Sequence, residues 1–338
     1  MQVTYSPAYT IVPTYECFNR CSYCNFRVDP GRDVWLSLDT ARSRLEALQG
    51  TGVCEILILS GEVHPRSPRR LLWLQHIINL CQLALDLGFL PHTNVGILSL
   101  AEMAELKKVN VSMGLMLEQL TPDLLISVHK HAPSKVPKVR LEQLEFAGQL
   151  KIPFTTGLLL GIGESLANWV DSLEAIAQIQ NHYGHIQEVI LQPYSPGSKE
   201  THQKSNFDPS QLPQVISLAR KILPLSITIQ IPPNLILEPE WLYACLAAGA
   251  KDLGGISPID EVNPDYAHLS HEQLSKTLAA KNWELVPRLP IYPQYIPWLD
   301  KNLQALVKPW HDSLTSISRK PTEKILQLGI QTPAVGVS

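Results

Sequence analysis

Short apolar runs alternate with longer stretches of helical periodicity along most of the chain, and this alternation limits the fold more than any other feature. Strands are predicted at 8–13, 55–59, 90–94, 111–117, 154–160, 188–192, 226–231 and 252–256. Helices at 38–49, 68–87, 100–107, 138–150, 166–181, 209–222 and 239–248 fill the gaps, and 271–281 follows the eighth strand. Several strand candidates are apolar almost throughout, as strands covered on both faces are. Strand–helix repetition of this kind implies a parallel sheet. Eight such units can close into an α/β fold, a (β/α)8 TIM-type barrel. A partial barrel of six units with extra elements is the alternative. No repeat of fixed period is visible, so the chain is not a solenoid.

Several boundaries are legible. Ser37 precedes the first helix, and Asp208-Pro209 opens the sixth with proline at its first position. Gly50 and Gly88 are candidate helix stops. The pattern changes after about residue 282, where Pro287, Pro290, Pro293 and Pro297 come with Trp283, Tyr292, Tyr295 and Trp298. The expected division is a barrel core at 1–258, then the last barrel helix and a wrapping extension at 259–338 that closes one end of the barrel. Residues Gln331 to Ser338 are expected to be mobile.

With 338 residues, 45% of them hydrophobic, the chain can bury a large core. A net charge of −3 gives no general attraction to nucleic acid. Met1-Gln2-Val3-Thr4-Tyr5-Ser6 lacks the basic flank and apolar core of a signal peptide. The most apolar stretch, 71–90, is broken by Gln75, His76, Asn79, Gln82 and Asp86, which makes it an amphipathic helix and not a membrane span. A cytoplasmic location is the expectation, and it suits reduced thiols.

Those thiols form the chemical signature. Cys17, Cys21 and Cys24 are spaced Cys-x3-Cys-x2-Cys, with Tyr23 directly before the last. A disulfide framework does not suit a long chain with six cysteines and no secretory signal. Structural zinc takes four ligands, commonly from two separated pairs, and no second pair follows; His64 or His129 would have to complete such a site. Close cysteine runs on one loop are the usual signature of an iron–sulfur cluster. Three thiolates can hold three irons of a 4Fe–4S cubane, leaving the fourth iron open to a small molecule. Cys54, Cys81 and Cys245 lie in apolar runs and read as small buried residues.

Barrel active sites lie at the C-terminal strand ends. The cysteine loop follows the first strand directly, so other strand ends should converge on it. Ser60-Gly61-Glu62 ends the second, where glycine permits close backbone approach and Glu62 or carbonyls can accept from an ammonium group. Glu118 ends the fourth and could hold ribose hydroxyls or an amine. The fifth ends Gly161-Ile162-Gly163-Glu164; Leu166 stands where a dinucleotide fingerprint needs its third glycine, so exposed backbone beside a flat ring is the better reading. Asn94, Thr155, Gln192, Gln230 and Asp260 are unranked candidates for gripping a polar substrate. His129 and His131 are either proton carriers or solvent-exposed, and Arg66, Arg69 and Arg70 read as a solvated helix start.

Taken together, the cysteine spacing, the aromatic before its last member and the glycine–glutamate strand end resemble the radical S-adenosylmethionine (SAM) superfamily. The resemblance implies a 4Fe–4S cluster on Cys17, Cys21 and Cys24, with SAM bound through its amino and carboxylate groups to the open iron. It also implies Tyr23 against the adenine, Ser60-Gly61-Glu62 at the methionine amine, and Gly161 to Gly163 passing the adenine. Ser60 stands where that family often has glycine. Cys17 to Arg27, Ser112 to Glu118, Thr156 to Glu164 and Asp252 to Pro258 are further similar to the first subunit of the 7,8-didemethyl-8-hydroxy-5-deazariboflavin (FO) synthase family. That likeness implies a SAM-consuming lyase acting on a hydroxybenzyl–ribityl-diaminouracil adduct, with ring closure and loss of ammonia. It implies a partner FO synthase subunit that supplies the adduct and a low-potential electron donor. Other readings are a different radical SAM enzyme (the partner subunit, a menaquinone-branch or a biotin-synthase-like protein), a non-catalytic metal-binding module, or a thiol redox protein.

Overall fold

The computed structural model describes residues 1–202, 206–257 and 270–318. Among the described residues, nine strands form one wholly parallel sheet: β1 (Gln2–Ile11), β2 (Glu55–Leu59), β3 (Leu90–Asn94), β4 (Ser112–Gly114), β5 (Phe154–Leu160), β6 (Ile186–Pro193), β7 (Thr228–Gln230), β8 (Asp252–Ile256) and β9 (Glu284–Pro287). β1 pairs with both β2 and β8, so the first eight strands close into the barrel that the alternation implied, and the six-unit alternative is set aside. The helices are α1 (Leu38–Glu46), α2 (Arg70–Asp86), α3 (Leu100–Lys107), α4 (Pro137–Gln149), α5 (Leu166–Tyr183), α6 (Leu212–Ile222), α7 (Pro239–Ala248), α8 (His271–Ala279) and α9 (Lys301–Ser318).

Local chemistry explains the helix ends. Ser37 caps α1 by accepting from the Thr40 amide, and Ser99 with Glu102 forms a reciprocal capping box on α3. α5 stops at Gly184, whose φ of 71° is the left-handed conformation that glycine adopts without a Cβ penalty. α6 buries Leu212, Val215, Ile216 and Ala219, which share one face at helical spacing. A single 3-10 turn, Pro209–Gln211, precedes α6, so the Asp208-Pro209 signal begins that turn and the α-helix starts at Leu212. Cys54, Cys81 and Cys245 are fully buried, as expected.

β1 is long enough to have two neighbours on one edge. Its upper half, Ala8–Ile11, pairs with β2, and its lower half, Gln2–Tyr5, pairs with β9. β9 thereby covers backbone groups that β2 is too short to reach. The chain then turns under the barrel. The Pro290 carbonyl accepts from Ser112 Oγ and Gln187 Nε2, and the Tyr292 amide donates to Gln187 Oε1, all at the N-terminal strand ends. Asp260 and Gln331 to Ser338 lie outside the described residues.

Candidate active site

The cysteine loop leaves β1 at the C-terminal mouth of the barrel and is held by backbone bonds from three directions. Cys17 N–H donates to Val28 O, Phe18 N–H to Glu62 O, Arg20 N–H to His131 O and Ser22 N–H to Val128 O. The Thr201 and His202 amides both donate to Ser22 O, and Lys199 N–H donates to Asn25 Oδ1. Asn19 Oδ1 accepts from the Ser134 amide. Four strand ends therefore meet at this loop. Buried Glu16 folds the segment behind it, accepting from Gly31 N–H, Asp33 N–H, Trp35 Nε1 and Arg69 Nη1.

None of the three loop cysteines is in a disulfide, and none is fully buried. Burial pushes the Cys17 thiol up, with Glu62 adding to it, while the Glu62 and Asn19 amides pull the other way. Burial pushes Cys21 up to about 12 against the opposing pull of Lys135. Thiols in such a place ionise only beside strong positive charge, which bound iron supplies. Among the described residues, no three His, Cys, Asp or Glu side chains converge as ligands of one ion. A cluster has a different requirement, because each of its irons takes its own thiolate.

Glu62 occupies a particular position beside this loop. It is buried, Oε1 accepts from Arg140 Nη2 at 3.1 Å, and Oε2 has no hydrogen-bond partner. An orphaned buried carboxylate oxygen is costly unless a donor from a ligand satisfies it. The methionine amine of SAM is such a donor, so the residues present fit that group. Gly61 is required here, since a Cβ at this position would overlap the Glu16 carbonyl. Ser60 turns its hydroxyl away, donating to Gly61 O and accepting from Trp73 Nε1.

Glu118 sits at φ 68°, a left-handed conformation that costs a non-glycine residue about 1–2 kcal/mol. Its carboxylate pairs with Lys135. Burial alone would raise Glu118, but Lys135 and Arg140 outweigh it and hold the acid below its usual range. Tyr23 Oη and His129 Nε2 share a hydrogen bond of 3.0 Å, and burial drives that imidazole down to about 4, so it is neutral at pH 7. His131 is exposed. Tyr23 also packs against an apolar cluster of Leu124, Val128, Leu159, Ile162 and Tyr194. Gly161 and Gly163 have φ of 94° and 131°. The amides of Gly161, Ile162 and Gly163 all donate to the Glu164 carboxylate, which shapes this strand end into a nest.

The structure corrects one reading and adds several residues. Arg70 is not a solvated helix start: it is buried, ion-paired with Glu102 and bonded to the carbonyls of Val63 and Ile97. Arg69 reaches Glu16. Lys135 and Arg140 belong to the site although no motif contains them; their partners are 17 and 78 residues away in sequence. Asn94, Thr155 and Gln230 line a chamber inside the barrel; so do Glu188 and Glu55, the latter the one polar residue of β2.

Residues 11–176 match the radical SAM superfamily. The chain is 64% identical over 309 residues to the 7,8-didemethyl-8-hydroxy-5-deazariboflavin synthase of Nostoc sp., covering 91% of each chain. It is 61% identical to the synthase of the same name from Trichodesmium erythraeum, over 93% of this chain and 98% of the relative. Among solved structures, the FeFe-hydrogenase maturase HydG from Carboxydothermus hydrogenoformans superposes with a TM-score of 0.72 at 17% identity, covering 95% of this chain and 79% of that one. Methylornithine synthase (PylB) gives 0.64 at 17% identity, over 85% and 84%. These two likenesses concern the fold. No helix among the described residues is long and apolar enough to cross a membrane. At this level of identity over nearly its whole length, the chain belongs to the radical SAM enzymes and, among them, to the FO synthase family.

Proposed function

We propose that this chain converts the hydroxybenzyl–ribityl-diaminouracil adduct to FO with release of ammonia, as a SAM-consuming lyase. A partner FO synthase subunit would make the adduct, and a low-potential donor would supply electrons. Cys17, Cys21 and Cys24 would hold a 4Fe–4S cluster, one thiolate per iron. When bound, the reduced cluster and SAM supply a 5′-deoxyadenosyl radical that takes hydrogen from the substrate.

The rest is done by the polypeptide. Glu62, fixed by Arg140, would accept from the methionine amine, and Glu118, fixed by Lys135, would accept from ribose hydroxyls. Tyr23 and the apolar cluster behind it, with the Gly161–Gly163 strand end, would flank the adenine. The barrel below excludes water and stray hydrogen donors from the reacting atoms. The observation that carries this reading is the orphaned Oε2 of Glu62 beside a three-thiol loop, above a chamber lined with polar groups.

The test is an anaerobic assay of reconstituted, reduced protein with the adduct and SAM. FO, ammonia, methionine and 5′-deoxyadenosine should appear together. Deoxyadenosine without FO would assign the chain to another radical SAM reaction; zinc without acid-labile sulfide would support a metal-binding module.

A further inference from the structure

The chamber inside the barrel has a volume of about 210 Å³. Its chemistry follows from asking which hydrogen-bonding groups the protein has already used.

Arg288, on the chain that passes under the barrel, is consumed. Nε donates to Asp252 Oδ2 at 2.5 Å and Nη2 to Asp252 Oδ1 at 2.8 Å; Nη2 also pairs with Glu188, and Nη1 donates to Leu289 O. Its charge is matched by two carboxylates. Glu188 is likewise engaged, with Oε1 accepting from Tyr292 at 3.0 Å and Oε2 from Thr155 at 3.1 Å.

Two of the groups left over are acceptors alone. Ser112 Oγ donates to Pro290 O, so the Ser112 oxygen accepts the proton on His92 Nδ1, 2.7 Å away. Burial keeps that imidazole neutral. His92 Nε2 is then a bare lone pair, with Gly114 opposite it where a Cβ would stand 2.9 Å away. Glu55 is 7% exposed and faces the same chamber. No hydrogen bond or ion pair reaches its carboxylate among the described residues. What remains open is a carboxylate and a ring nitrogen, which only accept, together with the Asn94 and Gln230 amides and the Thr10 hydroxyl, which both donate and accept. Such a lining suits a ligand whose several hydroxyls both donate and accept within a short span, and the Glu55 charge disfavours an anion.

We propose that this chamber is the specificity pocket for a polyhydroxylated chain on the substrate, with Glu55 as its central acceptor and Pro290 and Arg288 setting its floor. This rests on the FO synthase reading, under which the substrate carries a ribityl chain.

The test uses anaerobically reconstituted holoenzyme with SAM and isothermal titration of two ligands: FO, and the same deazaflavin with a methyl group replacing the ribityl chain. Wild-type protein should bind FO at least about 10-fold more tightly, the scale of one or two hydrogen bonds to a buried carboxylate. Glu55→Gln should lose about 10-fold for FO and nothing for the methyl analogue, and KM for the adduct should rise more than kcat falls. Thr10→Val, which changes a chamber-wall hydroxyl without touching charge, should give a smaller loss with the same selectivity. Iron content and the visible spectrum establish that each variant is loaded. If wild type prefers FO but both variants keep the full preference, the polyol binds elsewhere: the pocket assignment fails and the FO synthase reading stands. Equal affinity of wild type for the two ligands also overturns the pocket. If neither ligand binds and the adduct yields no FO, the functional reading itself fails, and the proposal with it.

Discussion

The two ends of the barrel solve opposite problems. At the C-terminal mouth, backbone hydrogen bonds from neighbouring loops hold the cysteine segment in place, while functional atoms such as Glu62 Oε2 are left without partners. At the N-terminal floor, side chains do the holding, and the charged groups bind one another: Arg288 binds Asp252 and Glu188, and Tyr292 adds a bond to Glu188. A backbone-held site can leave its side chains free for ligands. A side-chain-held floor spends them on itself and gives rigidity in return. The chamber lies between these regimes, with Glu188 spent and Glu55 open.

The largest expected effect separates the ends by function. Alanine at Cys17, Cys21 or Cys24 should abolish FO formation and remove the iron–sulfur absorbance, with the melting midpoint of the metal-free protein little changed. Retained turnover in any of the three would falsify the assignment of the loop. Arg288→Leu should do the reverse in kind. It leaves Asp252 and Glu188 buried without their cation, a loss of about 3–5 kcal/mol, and should lower the melting midpoint by on the order of 5–15 °C. A variant that melts with wild type would mean that the floor contributes little rigidity.

The mouth was far more legible in the sequence than the floor, for a physical reason. Cys17, Cys21 and Cys24 are near one another in the chain, so local spacing carries the information. Four strands, Glu55–Leu59, Leu90–Asn94, Phe154–Leu160 and Asp252–Ile256, match their expected bounds, because each is a compact run ended by glycine, proline or polar residues. β1 starts at Gln2 and not at Ala8 because Gln2–Tyr5 pairs with β9, a partner at the far end of the chain that leaves no local trace. β9 itself is four residues ending in proline, and proline argues against a strand unless it lies at an edge. β4 stops at Gly114, short of its apolar run, and the chain bridges to β5 again only at Glu118, opposite Leu158. Arg70 misled because its partner Glu102 sits on another helix; a cation at a helix start looks the same whether water or a carboxylate receives it.

Glu62→Gln probes the mouth at intermediate size. Glutamine keeps the length and can still accept from Arg140, but it loses the charge that would receive an ammonium group. KM for SAM should rise about 10–100-fold, the value of one charge-assisted hydrogen bond, with iron content unchanged. An unaltered KM would place the methionine amine elsewhere.

The smallest effect concerns the floor and depends on pH. Burial pushes Glu188 up to about 7, with Asp252 adding to it and Arg288 opposing. In the unfolded chain this acid titrates near 4.5, its ordinary value. Between those two values the folded protein holds a proton that the unfolded chain has released, so stability falls as pH rises through that window. The contribution is fully present below about 4.5 and lost above about 7. Glu188→Gln cannot ionise, and it should flatten that part of the pH dependence while leaving the acid limb set by other carboxylates. Denaturation midpoints at a series of pH values from 5 to 8 would show this as a shallower slope for the variant. Parallel curves for variant and wild type would mean that Arg288 holds Glu188 ionised throughout, and the floor would then carry one more negative charge toward the chamber than burial alone allows.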